Sequence, residues 1–497
     1  MLCTISTISF LSFKTNAISE HRQVISSVEL SPGVLHTNEI IYNFMNKKSN
    51  HQNLNYIEMD LNLINKTFSL MCHKSNNTTN GKETLSNQVT HEQKNMQNII
   101  AATNGDFFNC ESGIPVCNNI VNGEIFSTSI NREDQYLRPS FAILDDYSIH
   151  MDHFYFDGDL TLMGKNNKKH ITIDSVNRND YIENTINIFN HKNNEFSTIY
   201  LPKEREDALI ILISPNDSNT CFYNGKKIMG KITEIINDPP NIHKLIENQI
   251  AIVAYDEKKL EFSEIYKGMS VEINLNVSKN FDKNQSKVEH LLTGHEFVLY
   301  DGIIPDKDYF SSIWNPSAVY SQNHRTAIAL TSRHTLIILT VDKKNEFKGM
   351  SLPELGEFFK SKDAYRAINL DGGGSTSMMI REPGIHSLKN INLSREDRRI
   401  SNSIREKNIL PYCGELKDFY FHDSTTLSRT EVRKLNIVAY DTNLNPMDIY
   451  SLPNLKLTSD IGIFDPYGRF FPIKNNCQGT ITIEVGNIIK TYEIQIT

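Results

Sequence analysis

Short apolar and β-branched runs separated by polar turns occupy most of this chain, the signature of a β-rich fold. Between Asp145 and Glu289 they include Ile186-Asn187-Ile188-Phe189, residues 208–213 and residues 250–255. That stretch predicts a β-rich insertion over 151–289. Further on, residues 335–342 read as a strand and residues 352–359 carry helical spacing of their apolar positions. Ala367-Ile368-Asn369-Leu370 then reads as another strand. Strand, helix, strand predicts a crossover between parallel strands whose carboxyl ends share an edge, the usual location of a site in an open sheet. After Pro411-Tyr412-Cys413-Gly414, runs at 435–441, 455–459, 479–485 and 492–496 predict a small β-sandwich.

The second of these predicted strands opens directly into Asp371-Gly372-Gly373-Gly374-Ser375-Thr376. Three successive glycines are entropically expensive to order and suit a place where something approaches the backbone closely. Their amides can form a nest for an oxyanion with Asp371 at its rim; the plainer reading is a strand-to-helix turn with a capping Asp. Far upstream, Ile99-Ile100-Ala101-Ala102-Thr103 runs into Asn104-Gly105-Asp106-Phe107-Phe108, again an apolar strand ending in an acid beside a glycine. Asn-Gly favours hairpin turns, but Phe107-Phe108 keeps the chain apolar, as in packing around a pocket. His324-Arg325-Thr326 precedes a third apolar run and makes Arg325 a candidate anion ligand.

These stretches together resemble the phosphodiester glycosidase family, whose members include an enzyme that removes N-acetylglucosamine from a phosphodiester. The resemblance also rests on Ser31-Pro32-Gly33-Val34, Ile57-Glu58-Met59-Asp60-Leu61, Glu83-Thr84-Leu85-Ser86, residues 297–302, Met350-Ser351-Leu352-Pro353 and Arg399-Ile400-Ser401-Asn402. It runs in consistent order over residues 30 to 410. It departs at Gly294-His295-Glu296, where a glycine pair and a proline are usual, and at Ala329, where a glycine is usual.

The resemblance implies a hydrolase that cleaves the C–O bond of a sugar 1-phosphodiester, with a phosphorylated glycan or sugar phosphodiester as substrate. The departing phosphate monoester is a stable anion and needs little protonation. What the reaction needs is negative charge beside the oxocarbenium-like carbon and positive, hydrogen-bonding groups at the phosphate. Asp371 and Asp106 suit the first role, with their order undecided, and Arg325 the second. Substrate contacts fall to Asn104, Gly105, Thr326, Gly372, Gly373, Gly374, Ser375, Thr376 and Arg399. For Ser375 and Thr376 the alternative is capping a following helix, and for Arg399 pairing with a structural carboxylate. A catalytically silent module that binds cell-surface glycan or phosphoglycan is the rival reading.

Composition narrows the picture. A formal charge of -8 and the lack of a Lys/Arg-rich block argue against nucleic acid as a partner. Met1 to Phe13 form a short, hydroxyl-diluted apolar segment with no basic start, a weak leader over 1–24 that suggests export; neither it nor any other segment has the apolar length of a transmembrane helix. Seven cysteines declare no disulfide framework, and Cys110 and Cys117 are either a pair or two free thiols. No His-x-His, Cys-x-x-Cys or His-Glu-x-x-His spacing marks a transition-metal centre, so no cofactor is called and only a weakly held divalent cation stays open. The 497 residues thus divide into the leader, an α+β, β-rich catalytic domain over 25–410, and an immunoglobulin-like sandwich over 411–497.

Overall fold

The computed structural model describes residues 19–45, 48–94, 98–130, 137–165, 167–191, 198–201, 203, 205, 207–279, 286–392 and 398–497. The leader expected over 1–24 lies outside these as far as residue 18, and its last residues stand in the strand Ser19–Ser31.

Two antiparallel sheets form the part of the molecule that positions the site. The first has seven strands in the order Ser19–Ser31, Val34–Met45, Lys48–Asp60, Thr335–Asp342, Arg325–Thr331, Ala364–Asn369 and Phe297–Tyr300. The second has five: Lys389–Asn390, Met378–Ile380, Ile99–Asn104, Asn402–Asn408 and Phe68–Lys74. Period-two alternation turns one face of each toward the other. Ile57, Met59, Ile328, Ile338 and Ile368 from the first share a core with Phe68, Leu70, Ile100, Met378 and Ile404 from the second. Helices Lys307–Ile313, Pro316–Tyr320 and Leu352–Ser361 cover the outer face of the seven-stranded sheet through Phe310, Val319, Leu355, Phe358 and Phe359. The Leu352–Ser361 helix starts on a capping box, with Ser351 and Glu354 bonding each other's backbone amides, and Pro353 sits in its first turn.

The strand-helix-strand reading needs correction. Thr335–Asp342 and Ala364–Asn369 do run in the same direction, but they do not pair. Arg325–Thr331 lies between them, antiparallel to both. The preceding strand folds back as a tight hairpin and takes the place a parallel partner would need.

The β-rich character of residues 151–289 holds, and these strands extend a larger sheet. The long strand Ile149–Met163 pairs at its start with Pro139–Leu144 and further along with Ser270–Lys279. Residues 416–496 form three small sheets around a core of their own that includes Phe419, Ile449, Phe470, Ile481 and Ile494. No described helix is long and apolar enough to cross a membrane.

Candidate functional site

Residues 371–377 carry the chain from the end of one sheet to the start of the other, from Ala364–Asn369 to Met378–Ile380. A crossing strand end leaves its backbone groups unpaired, and the Asn104 side chain collects them. Its Nδ2 donates to the Asp371 carbonyl at 2.7 Å, while its Oδ1 accepts from Thr326 Oγ1 at 2.8 Å and from the Ser377 amide at 3.1 Å. The Asp371 amide donates to the Gly105 carbonyl at 3.2 Å, and the Leu370 amide to the Thr326 carbonyl at 2.9 Å. The distant stretches at 104, 326 and 371 therefore meet, as expected, and Asn104 binds protein rather than offering its amide to a ligand.

Asp371 is half-buried. Burial pushes its carboxyl up to about 6, against the opposing pull of the Ser375 hydroxyl, the Arg398 charge and the Gly372 amide. The Gly373 amide donates to the His324 carbonyl at 3.0 Å. Two of the three amides expected to form an oxyanion nest are thus engaged internally. The open space is there nonetheless: a Cβ built on Gly373 or Gly374 would meet nothing within 4 Å. Gly373 has φ +58°, the left-handed region that favours glycine. No helix follows. Gly373–Ser375 makes a single 3-10 turn before the next strand, so neither Ser375 nor Thr376 caps a helix. Ser375 faces the Asp371 carboxyl, and Thr376 is buried, accepting from Thr326 Oγ1 at 3.3 Å.

Asp106 is more enclosed. The Asn402 side chain brackets it, Nδ2 donating to Asp106 Oδ1 and Oδ1 accepting from the Asp106 amide at 2.9 Å, while Asn119 Nδ2 donates to Oδ2 at 3.1 Å. Burial pushes this carboxyl up to about 7, opposed by the bonds from Asn402 and Asn119 and by the charge of Lys74. Lys74 is itself buried, donating to the carbonyls of Gly81 at 2.9 Å and Ser401 at 3.1 Å, and burial brings it down to about 7. Gly105 is required here for space, because a Cβ on it would lie 2.1 Å from Asn402 Oδ1. Gly105→Ala is therefore expected to lose folded protein, whereas Gly374→Ala keeps the fold and intrudes on the open space; thermal unfolding of the two variants separates them.

Arg325 lies on the other side of the sheet. Neighbouring residues on a strand point to opposite faces. Thr326 faces Asn104, so the Arg325 guanidinium enters the helical layer, donating to the carbonyls of Met350, Ala318 and Ser321, each at 2.9 Å. It ties the start of one helix to the end of another, in a buried position where the loss of water lowers its pKa and Glu296 and Glu354 oppose the drop. This geometry does not fit the phosphate ligand that the sequence suggested. Arg399 is exposed and pairs its backbone with Thr84.

The charge of Arg398 also acts on the Asp371 carboxyl, and its Nη2 donates to Cys110 Sγ at 3.2 Å. Sequence reasoning passed over it in favour of its neighbour. Cys110 and Cys117 are free thiols, the first exposed and the second buried. Lys74 had a readable signal: Phe68, Leu70, Cys72 and Lys74 alternate on one face of a strand, which places the lysine inside. Among the described residues no group of three or more His, Cys, Asp or Glu gathers to hold a metal ion.

The sequence comparisons now bear on this geometry. Residues 219–405 match the phosphodiester glycosidase family model. The span contains Arg325, Asp371, the glycines, Arg398 and Arg399, and ends before the core strands of the C-terminal unit; Asn104 and Asp106 lie upstream of it. N-acetylglucosamine-1-phosphodiester alpha-N-acetylglucosaminidase of Bos taurus is 41% identical over 56 residues, and that of Homo sapiens 39% over 56, each match covering 11% of this chain and 11% of the relative. The chain thus aligns with about a tenth of the length of these curated relatives. A Synechocystis protein superposes with a TM-score of 0.59 at 14% identity, over 78% of this chain and 64% of that one. A Burkholderia pseudomallei protein superposes at 0.57 and 12% identity, over 80% and 97%. At such identities the likeness concerns the fold. The stretch that matches the phosphodiester glycosidase model therefore lies in a β-rich molecule whose architecture recurs in distant proteins.

One buried acid near the domain's end calls for explanation. Glu406 shares the inward face of Asn402–Asn408 with Asn402 and Ile404, and its carboxylate has no side-chain partner among the described residues. Burial pushes it up from the ordinary 4.5 to about 8. The folded chain thus holds this proton more tightly than the unfolded chain does. The resulting stability is complete below about 4.5 and is lost as pH rises through about 8. Glu406→Gln removes that dependence, so its unfolding free energy, measured in urea, is expected to gain on the wild type as pH rises across this window.

Proposed function

We propose that this protein is a hydrolase that cleaves the glycosidic C–O bond of an N-acetylglucosamine-1-phosphodiester-like substrate, releasing free sugar and a phosphomonoester. The observation that carries the reading is Asp371: a half-buried carboxyl held by its backbone between two sheets, beside glycine-lined open space and acted on by the Arg398 charge. Family membership of residues 219–405 supports the reaction class. Water adds its oxygen to the anomeric carbon as the bond to the phosphate oxygen breaks, and the bonding pair leaves with the phosphate. As a base, Asp371 takes the proton of that water. A pKa raised by burial keeps it basic enough to do so while it is still ionised near neutral pH. Arg398 is the cation available to the departing phosphate. Asp106, wrapped by Asn402 and Asn119, acts as a positioning residue: Gly105, beside it, receives the Asp371 amide.

The second reading, a phosphoglycan-binding module without turnover, draws support from the internal bonds that engage Asn104, Asp106 and Arg325. Incubation with a panel of N-acetylglucosamine 1-phosphodiesters, with and without chelator, tests both. Liberated sugar supports the hydrolase, and binding with no release from any member supports the module.

We further propose that residues 25–410 act as the catalytic unit, with 151–289 as a wall of its cleft, and that 411–497 form an immunoglobulin-like spacer on an exported protein. The separate core of that last unit and its close-spaced strands support this division.

A further inference from the structure

Directly after Asp106 the chain places three rings together. The His295 imidazole stacks on the Trp314 indole with centroids 3.9 Å apart and planes at 26°, and Phe107 meets both edge-on at 5.4 and 5.9 Å. This cluster borders the candidate site from two directions. Phe107 follows Asp106 in sequence. The His295 amide donates to the Asn369 carbonyl at 3.0 Å, two residues before Asp371, and the Asn369 amide returns a bond to the Glu296 carbonyl at 3.1 Å. Trp314 ends the Lys307–Ile313 helix, its amide donating to the Phe310 carbonyl at 3.1 Å.

The cluster is built at a cost that core packing does not need. Glu296 is a buried carboxylate whose Oε2 lies 2.5 Å from His295 Nδ1, a close contact without hydrogen-bond geometry that leaves its oxygens with no hydrogen-bond partner among the described residues. A core position would be filled more cheaply by apolar side chains. His295 and Glu296 are also the positions where the chain departs from the family resemblance. His295 is buried, whereas Phe107 and Trp314 are half-buried, so the two outer rings keep accessible area. Rigid, partly exposed aromatic faces next to a few fixed polar groups are the usual lining of a small-molecule site.

We infer that Trp314, held in place by the rings of His295 and Phe107, is a stacking platform for the apolar C–H face of a pyranose ring at this site. The inference rests on the hydrolase reading for its sugar but not for its geometry. Hydroxyls around the ring stay free to bond polar groups while the C–H face covers the indole.

Trp314 is the chain's single tryptophan, so intrinsic tryptophan fluorescence reports on this position alone. The experiment titrates the full chain with the methyl phosphodiester of N-acetylglucosamine 1-phosphate, with methyl phosphate as the control, and measures fluorescence and sugar release in parallel. A saturable change with the sugar diester and none with methyl phosphate is expected. Trp314→Leu is expected to weaken binding or raise KM about tenfold, with Trp314→Phe recovering most of it, since an aromatic contact of about 1.4 kcal/mol is worth a factor of ten. His295→Gln keeps the tryptophan and reports on its support even if Trp314→Leu fails to fold; its fluorescence change should saturate at higher diester concentration. Sugar release with no fluorescence change, or with KM unaltered in Trp314→Leu and His295→Gln, overturns the platform and leaves the hydrolase standing. A saturable change without sugar release keeps the platform and overturns the hydrolase.

Discussion

Asp371→Asn is expected to lower the rate of sugar release by about 10³-fold while leaving substrate affinity within a few-fold of the wild type. The substitution is nearly isosteric and leaves the backbone bonds of this residue untouched: its carbonyl accepts from Asn104 and its amide donates to the Gly105 carbonyl. The loop should therefore stay in place, and the loss should fall on kcat. The pH profile gives a second reading of the same group. With the carboxyl raised to about 6, the wild-type rate should climb with pH through that value as the base ionises, and the asparagine variant should lose this limb. Steady-state kinetics from pH 4 to 8 check both. A variant that keeps the wild-type kcat and acid limb would remove Asp371 from the chemistry.

Asn402→Ala is expected to cost about 3 kcal/mol of stability. The alanine deletes the donor to one oxygen of a buried carboxyl and the acceptor for the same residue's amide. Hydrogen bonds to charged groups contribute about 1.5–3 kcal/mol, and a stranded buried polar group adds its desolvation penalty. The protonated form of Asp106 offers partial relief because its carboxyl is already raised to about 7. The destabilisation should accordingly be smaller at pH 5 than at pH 8. Urea unfolding at the two values measures it. Equal losses at both would mean that the Asp106 charge is irrelevant to the Asn402 contact.

Much of this site could be read from local sequence. The acid and glycines after Ala364–Asn369, the Asn-Gly-Asp after Ile99–Asn104 and the threonine opening Arg325–Thr331 were all expected to converge, and their backbones do. Apolar runs mark strand ends, and strand ends in a layered fold are where loops gather. The directions of the side chains were less accessible. Arg325 and Thr326 read alike as ligands in the sequence, although adjacent strand residues face opposite sides, and only the fold shows that Thr326 is the one on the site's side. Asn402 reaches Asp106 across 296 positions, a contact no local pattern announces. The parallel crossover failed for a related reason: the helix between the two strands was legible, but sheet order depends on which third strand inserts, and Arg325–Thr331 inserts from outside the window that suggested the motif. Composition hid Arg398, since two adjacent arginines look alike and the family pattern pointed to the other.

The central claim concerns which bond breaks, and isotope incorporation tests it most directly. Hydrolysis of an N-acetylglucosamine 1-phosphodiester in heavy-oxygen water, followed by mass spectrometry of both products, should place the label on the sugar hydroxyl and leave the phosphomonoester unlabelled. Label in the phosphate would mean cleavage at P–O and would contradict the account.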